Sequence, residues 1–302
     1  MNLLDLADGD LAHEFRRSPL AVLSGLTVLV LILAAVFAPW IAPHDPMDLA
    51  SLSLLDSFKP PWPAEGSDAF NFLGTDSQGR DMLSAIMFGL RISLHVAFWS
   101  VTIAVAVGVA AGLAAGYLGG VTGTLLMRIA DVQLTFPPIL TALLINGIAG
   151  AALPKAMRDQ MQVPVIILSI GIGLWPAIAR SVRASTLVER DKEYVLAARV
   201  IGVPAWRIMT GHILPNVLTS VLVLATLGLG VAVLTEATLS FLGSGLPPTR
   251  PSLGTLIRYG NDFLFSGQWW VTIFPGATLV LLILSLNLLG DWLRDTLSQG
   301  LP

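Results

Sequence analysis

The sequence predicts an all-α polytopic membrane protein with six transmembrane helices. Two observations carry that prediction. Only 12% of the 302 residues are charged while 54% are hydrophobic, for a mean hydropathy of +0.76. The apolar residues are also gathered into runs long enough to cross a bilayer. Soluble domains usually carry about 25% charged residues. Half that density cannot cover a water-soluble globule of this size, so lipid is the solvent for most of the chain. The net charge of -3 offers no basic footprint for nucleic acid. The absence of cysteine excludes disulfides, iron–sulfur clusters and thiolate zinc sites.

A spanning helix needs about 20 mostly apolar residues. Six segments qualify: 20–41, 93–117, 126–149, 163–181, 213–242 and 270–290. The first follows Arg16 and Arg17 and stays uncharged from Ser18 to Pro43. The apolar core of a cleaved signal is about 7–15 residues, so this longer run reads as an uncleaved span. The second and third share one uncharged run from Ile92 to Met127, where Gly119, Gly120 and Gly123 supply a tight turn. The connections at 42–91, 150–162 and 243–269 fall on one side. Pro43, Pro46, Pro60, Pro61 and Pro63 predict extended chain in the first of them.

Six spans put both termini on one side. With that side cytoplasmic, it holds ten of the 17 Lys and Arg, six of them crowded into 180–207, as the positive-inside rule asks. The expected organisation is a cytoplasmic tail at 1–17, a first helix and exterior loop at 18–72, a helical core at 73–297, and a C-terminal tail at 298–302.

The longest cytoplasmic connection, 186–215, is unlike a simple linker. In 186–201, Leu187, Val188, Val195, Ala198 and Ile201 recur near helical spacing, and Glu189, Arg190, Lys192, Glu193 and Arg199 fall largely opposite. Gly202 suits a left-handed helix end and Pro204 a helix start. A short helix, a turn at Gly202-Val203-Pro204 and a second helix to His212 follow. Adjacent spans need only a few connecting residues, so a folded element here reads as a docking surface, with Ala197 and Ala198 allowing close approach. The alternative is a solvated loop resting on lipid headgroups.

The spacing Ala197-Ala198-x3-Gly202-x11-Leu214-Pro215 resembles the EAA loop of ABC-importer permeases, with Leu196 standing where that motif often has glutamate. The stretches Leu73–Leu94, Thr235–Ile257, Gln268–Gly276 and Leu286–Leu297 are similar to the C-type permeases of dipeptide, oligopeptide and nickel importers, in the same order. The resemblance implies a type I ABC-importer permease bundle in a bacterial inner membrane. It also implies a coupling loop in which Glu193, Tyr194, Ala197, Ala198, Arg199, Gly202, Arg207 and Pro215 serve contact with an ATPase. The implied partners are a homologous second permease, two cytoplasmic ATPase subunits that bind ATP and Mg, and an exterior solute-binding protein. Di- or oligopeptides, or similar small solutes, are the implied cargo.

No phosphate-binding loop for ATP is found in the sequence, so an ATPase driving transport is expected to be another polypeptide. A phosphate-binding loop needs lysine directly after glycine, and Lys59, Lys155 and Lys192 follow Phe58, Pro154 and Asp191. His13, His44, His95 and His212 are scattered and form no metal motif. No catalytic residue, cofactor or metal site is expected. A secondary transporter or channel working without an ATPase is the rival reading.

Charged groups within spans call for a reason, because burying one at mid-bilayer costs about 2.5–3.5 kcal/mol. Arg128 and Asp131, three apart, form a candidate helix-face pair. Glu236 is either structural or part of the translocation path. Gly108, Gly112 and Gly116 make a smooth stripe against which another span, or a second permease, can pack closely.

Overall fold

The computed structural model describes residues 10–46, 53–67, 71–246 and 250–299, and the predicted all-α bundle is what it shows. A short helix α1 (Asp10–Arg17) leads into α2 (Pro19–Ile41), which starts where Ser18 accepts a hydrogen bond from the Ala21 amide and Pro19 takes the first helical position. The long helices that follow are α3 (Met82–Tyr117), α6 (Lys155–Glu189), α9 (Leu214–Phe241) and α11 (Trp270–Gln299). Between them lie α4 (Gly120–Leu134), α5 (Pro138–Ala152), α7 (Glu193–Val200), α8 (Ala205–Ile208) and α10 (Leu253–Asn261).

Among the described residues five helices are long and apolar enough to cross a membrane, and α4 with α5 makes a sixth crossing only as a pair bent by 90°. The sequence reading of one straight span over 126–149 is therefore corrected. Pro137 and Pro138 stand in its middle, and proline disfavours helical backbone at the residue before it. The chain leaves helix after Leu134 and re-enters it at Pro138.

Proline also shapes α6. Pro176 has no amide proton, so the carbonyl of Ile172, one turn back, loses its helical donor. The Gln133 side-chain amide donates to that carbonyl, and Trp175 Nε1 donates to Gln133 Oε1 at 2.9 Å. The end of α4 is thereby tied to the middle of α6, where lipid offers the freed carbonyl no substitute.

A second correction concerns α3. It begins at Met82, well before the predicted 93, and its 36 residues extend roughly 54 Å, longer than the hydrocarbon core needs. Its start is built by the motif that precedes it. Asp81 accepts hydrogen bonds from the Ser84 amide and hydroxyl, at 2.8 and 2.6 Å. One turn earlier Asp76 takes the Gln78 and Arg80 amides and pairs with the Arg80 guanidinium at 2.7 Å. Gly74, at φ +79°, lies so close to the Lys59 carbonyl that a Cβ would stand 2.6 Å from it. The loop expected as plain extended chain is instead folded against the bundle, and Trp270 Nε1 donates to the Thr75 carbonyl at 3.0 Å. Likewise 243–269 contains the helix α10, capped by Ser252 through the Thr255 amide.

Two apolar clusters make the core. One, around Met82, Leu90, Ile166, Leu239 and Leu282, fills the half near α10. The other, around Leu113, Ile178, Val182, Ile208 and Val217, fills the half near α7. Between α3 and α6 the stripe does the packing. Gly108 faces Ile178, Gly112 faces Val182 and Gly116 faces Thr186, so the stripe is covered by another span of the same chain.

Candidate functional site

The elbow formed by α7, α8 and the start of α9 is attached to the bundle along one face. Val195, Ala198, Ile208 and Ile213 are buried, packed in the same cluster as Leu113 of α3 and Val182 of α6. Gly202 takes φ +82° and ends α7 as its sequence suggests. Residues 186–189 continue α6, however, and the helix of the elbow starts only at Glu193. Val195 and Ala198 still take the packed face that their spacing predicts. Ala198 points into the core and only Ala197 of the pair is exposed, while Val188 and Ile201, assigned to the buried face, lie outside.

Three side chains fasten the elbow to the ends of three long helices. Arg190 Nη1 donates to the Gly116 carbonyl at 2.8 Å, in the last turn of α3, where a cation also meets the negative end of the helix dipole. Arg199 lies over the Tyr117 ring, 4.8 Å from its centre. Tyr194 closes the third side: its hydroxyl donates to Glu189 Oε2 at 2.6 Å and accepts from Asn216 Nδ2 at 2.9 Å, joining α6, α7 and α9. Lys192 pairs with the other Glu189 oxygen at 2.6 Å.

Burial, followed by the hydrogen bond to Glu189 and that carboxylate's charge, pushes the Tyr194 hydroxyl up from 10.0 to about 12. Because the folded value lies above the unfolded one, the latch is fully present below pH 10 and is lost as pH rises toward 12. Tyr194→Phe is expected to cost about 1 kcal/mol, the net worth of an ordinary hydrogen bond, since the ring is 38% exposed. Thermal unfolding in detergent should show that deficit at neutral pH and none above the phenol's titration. An equal deficit at both ends of the range would refute the latch.

The opposite face of the elbow has no cover. Val200 is 87% exposed, Ile201 78% and Trp206 60%, with Leu196, Ala197 and Gly202 beside them. Arg207 stacks on Trp206, 5.3 Å from its ring, and Glu193 is exposed at the start of α7. Pro215 sits in the first turn of α9, which a widened turn at Met209–Ile213 joins to α8. This rim is apolar, with a cation at Arg207 and a carboxylate at Glu193.

The polar residues of the spans are placed differently from one another. Asp131 lies 3.9 Å from Arg180 of α6, with both side chains at least half exposed. It does not pair with Arg128 one turn back, which is exposed. Glu236 is fully buried near the far end of α9. Ser93 of α3 donates to its Oε2 at 2.8 Å and Ser240 to its Oε1 at 2.7 Å, with Ser252 of α10 alongside. Ser93 and Ser240 were not singled out from sequence, because their relation to Glu236 exists only once α3 and α9 meet. Among the described residues no group of His, Asp and Glu is placed to hold a metal.

The profile of the family described as the inner membrane component of binding-protein-dependent transport systems matches residues 108–301. The chain belongs to this family. A second description, the N-terminal transmembrane domain of oligopeptide transport permease C, matches residues 9–61. The dipeptide transport system permease protein DppC of Escherichia coli K12 is 41% identical over 289 residues, 96% of this chain and 92% of that one. The di/tripeptide transport system permease protein DppC of Pseudomonas aeruginosa UCBPP-PA14 is 38% identical over 276 residues, 91% and 86% of the two chains. A structure of the inward-facing MetNI methionine ABC transporter superposes with a TM-score of 0.55 at 19% identity, covering 72% of this chain and 97% of that one. It establishes the fold alone. As an inner membrane component of such a system, the chain is a multi-pass permease subunit of an ABC importer. The matched region takes in the glycine stripe, the elbow and Glu236.

Proposed function

We propose that this permease subunit lines half of a translocation path for di- or oligopeptides, and that separate ATPase subunits drive it through the elbow. A homologous second permease completes the path and an exterior binding protein delivers the peptide. Both termini and the elbow are cytoplasmic. The observation that carries this reading is the two-faced elbow. One face is fixed to the ends of α3, α6 and α9, and the other presents Leu196, Val200, Ile201 and Trp206 to water. A rigid lever with an uncovered apolar rim suits a partner that moves. ATP-driven closure of the ATPases must favour one orientation of the path over the other, and only a stiff connection carries that preference to the spans. The peptide assignment is supported by the names of the relatives.

The test is uptake into proteoliposomes containing the full transporter, with ATP hydrolysis measured in parallel. Ala197→Trp adds bulk on the exposed rim without touching the packed face. Overpacking a contact costs about 1–3 kcal/mol, so docking, and with it peptide uptake, should fall about 5- to 150-fold. Gly202→Val forces a branched residue to a positive φ and should uncouple hydrolysis from uptake while the chain still inserts. Normal uptake by both variants, or uptake by this subunit with no ATPase present, would overturn the proposal.

A further inference from the structure

Away from the elbow and the glycine stripe, α2, α3, α9 and α11 line a cavity of about 370 Å³, and Ile32, Val36 and Phe98 on its wall are exposed side chains of spanning helices. Its walls are apolar, with Ile32, Val36, Leu94, Phe98, Val233 and Leu286 among them, and Arg91 and His95 stand on one side of it. Arg91 and His95 are four apart on α3 and so share a face. Both are exposed, and among the described residues no carboxylate pairs with Arg91.

The level of Arg91 in the membrane follows from the helix that bears it. From Ile92 to Tyr117 α3 carries no charged residue, a length of roughly 39 Å at 1.5 Å per residue, against about 30 Å of hydrocarbon. Arg91 is thus the last charge before the hydrocarbon begins. Trp40 and Phe37, exposed near the end of α2 with their ring centres 5.8 Å apart, are the aromatic residues expected at such a boundary. A cation at this boundary, without a carboxylate beside it, is placed to meet the anionic group of a lipid headgroup. The cavity continues from Arg91 deeper into the bilayer, one to two turns along α3 to Leu94 and Phe98.

We infer that this cavity is a phospholipid site, with the phosphodiester held by Arg91 and His95 and an acyl chain lying in the apolar groove behind them. A phosphate at the boundary with its tail directed inward matches both the charge and the direction of the cavity. A loose array of annular lipids would require neither. A basic recess between spans is the kind of place where headgroups are retained. An arginine fork also suits a phosphate's paired oxygens.

The complete transporter, purified from nanodiscs of phosphatidylglycerol and phosphatidylcholine, can be stripped gradually and its retained lipids counted by native mass spectrometry. Phosphatidylglycerol should persist on the wild-type complex after bulk lipid has left. Arg91→Gln should reduce its retention about fivefold, the worth of one cation beside an anionic headgroup. Val36→Trp, which fills the groove and keeps the cation, should reduce it as well. Co-purification of the partner subunits checks that both variants assemble.

Unchanged retention in both variants overturns the inference. Loss in Arg91→Gln alone reduces the site to a surface ion contact, and loss in Val36→Trp alone removes headgroup recognition; either result overturns it too. Because the chain has no cysteine, Val36→Cys gives a single labelling position. Its crosslinking to the second permease would show protein, not lipid, in the groove and would also overturn the inference.

Discussion

Gly112→Val is expected to destabilise the packed form of the chain by about 3 kcal/mol or more. A Cβ at Gly112 would stand 2.6 Å from the Val182 Cβ and 2.7 Å from the Ala179 carbonyl. Its neighbours in the stripe are no looser: Gly108 would meet Ile178 at 2.8 Å and Gly116 would meet Thr186 at 2.6 Å. Both rows advance by four residues, so α3 and α6 run side by side in the same direction at backbone contact. Within lipid, where apolar surface gains nothing by leaving the solvent, such close approach is the main attraction between helices.

Overpacking a core usually costs about 1–3 kcal/mol. Here the obstacle is partly a carbonyl of a helix that cannot move alone, so the cost should reach the top of that range or pass it. Thermal unfolding of the purified subunit measures it, with Gly147→Val as the control, since nothing lies within 4 Å of that position. Equal stability of the two variants would mean that α3 and α6 do not meet along the stripe.

The stripe was visible in the sequence because a four-residue period of glycine has few other uses in a span. Its partner was not, since Ile178, Val182 and Thr186 share a period but no composition that marks them. The turn at Gly202 was equally legible, because a left-handed residue followed closely by proline is a local signal. Other elements were hidden for definable reasons. Hydropathy detects lipid rather than helix, so the start of α3 at Met82 escaped it, although Asp81 and Ser84 carry the capping chemistry. Averaging apolar residues over 126–149 passed over Pro137 and Pro138, which outweigh any hydropathy score by breaking the helix. Placing the elbow helix at 186 instead of 193 ran the end of α6 into it and grouped Val188 and Ile201 with Val195 and Ala198, which alone of that set are buried. The Gln133 bond to the Ile172 carbonyl depends on a missing proton at Pro176 in another helix, and no pattern within one segment reports that.

Glu236 gives the second large effect. Glu236→Ala should destabilise the subunit by about 2–4 kcal/mol, because it opens a cavity and strips two buried serine hydroxyls of their acceptor. The lower end applies if Ser93 and Ser240 turn to carbonyls one helical turn back. Glu236→Gln keeps the shape and an acceptor oxygen, and its amide can donate to a serine that now accepts, so it should cost about 1 kcal/mol or less. The pair of variants separates two roles. A residue that only joins α3, α9 and α10 is restored by glutamine in both melting temperature and uptake. A residue that meets the passing solute through its charge would leave Glu236→Gln as stable as wild type and unable to transport. The geometry favours the first outcome, for both carboxylate oxygens are already engaged at 2.8 and 2.7 Å in a residue with 0% exposure. A stable Glu236→Gln subunit that assembles, hydrolyses ATP and moves no peptide would show that the serine cage opens during the cycle and that the carboxylate then faces the path.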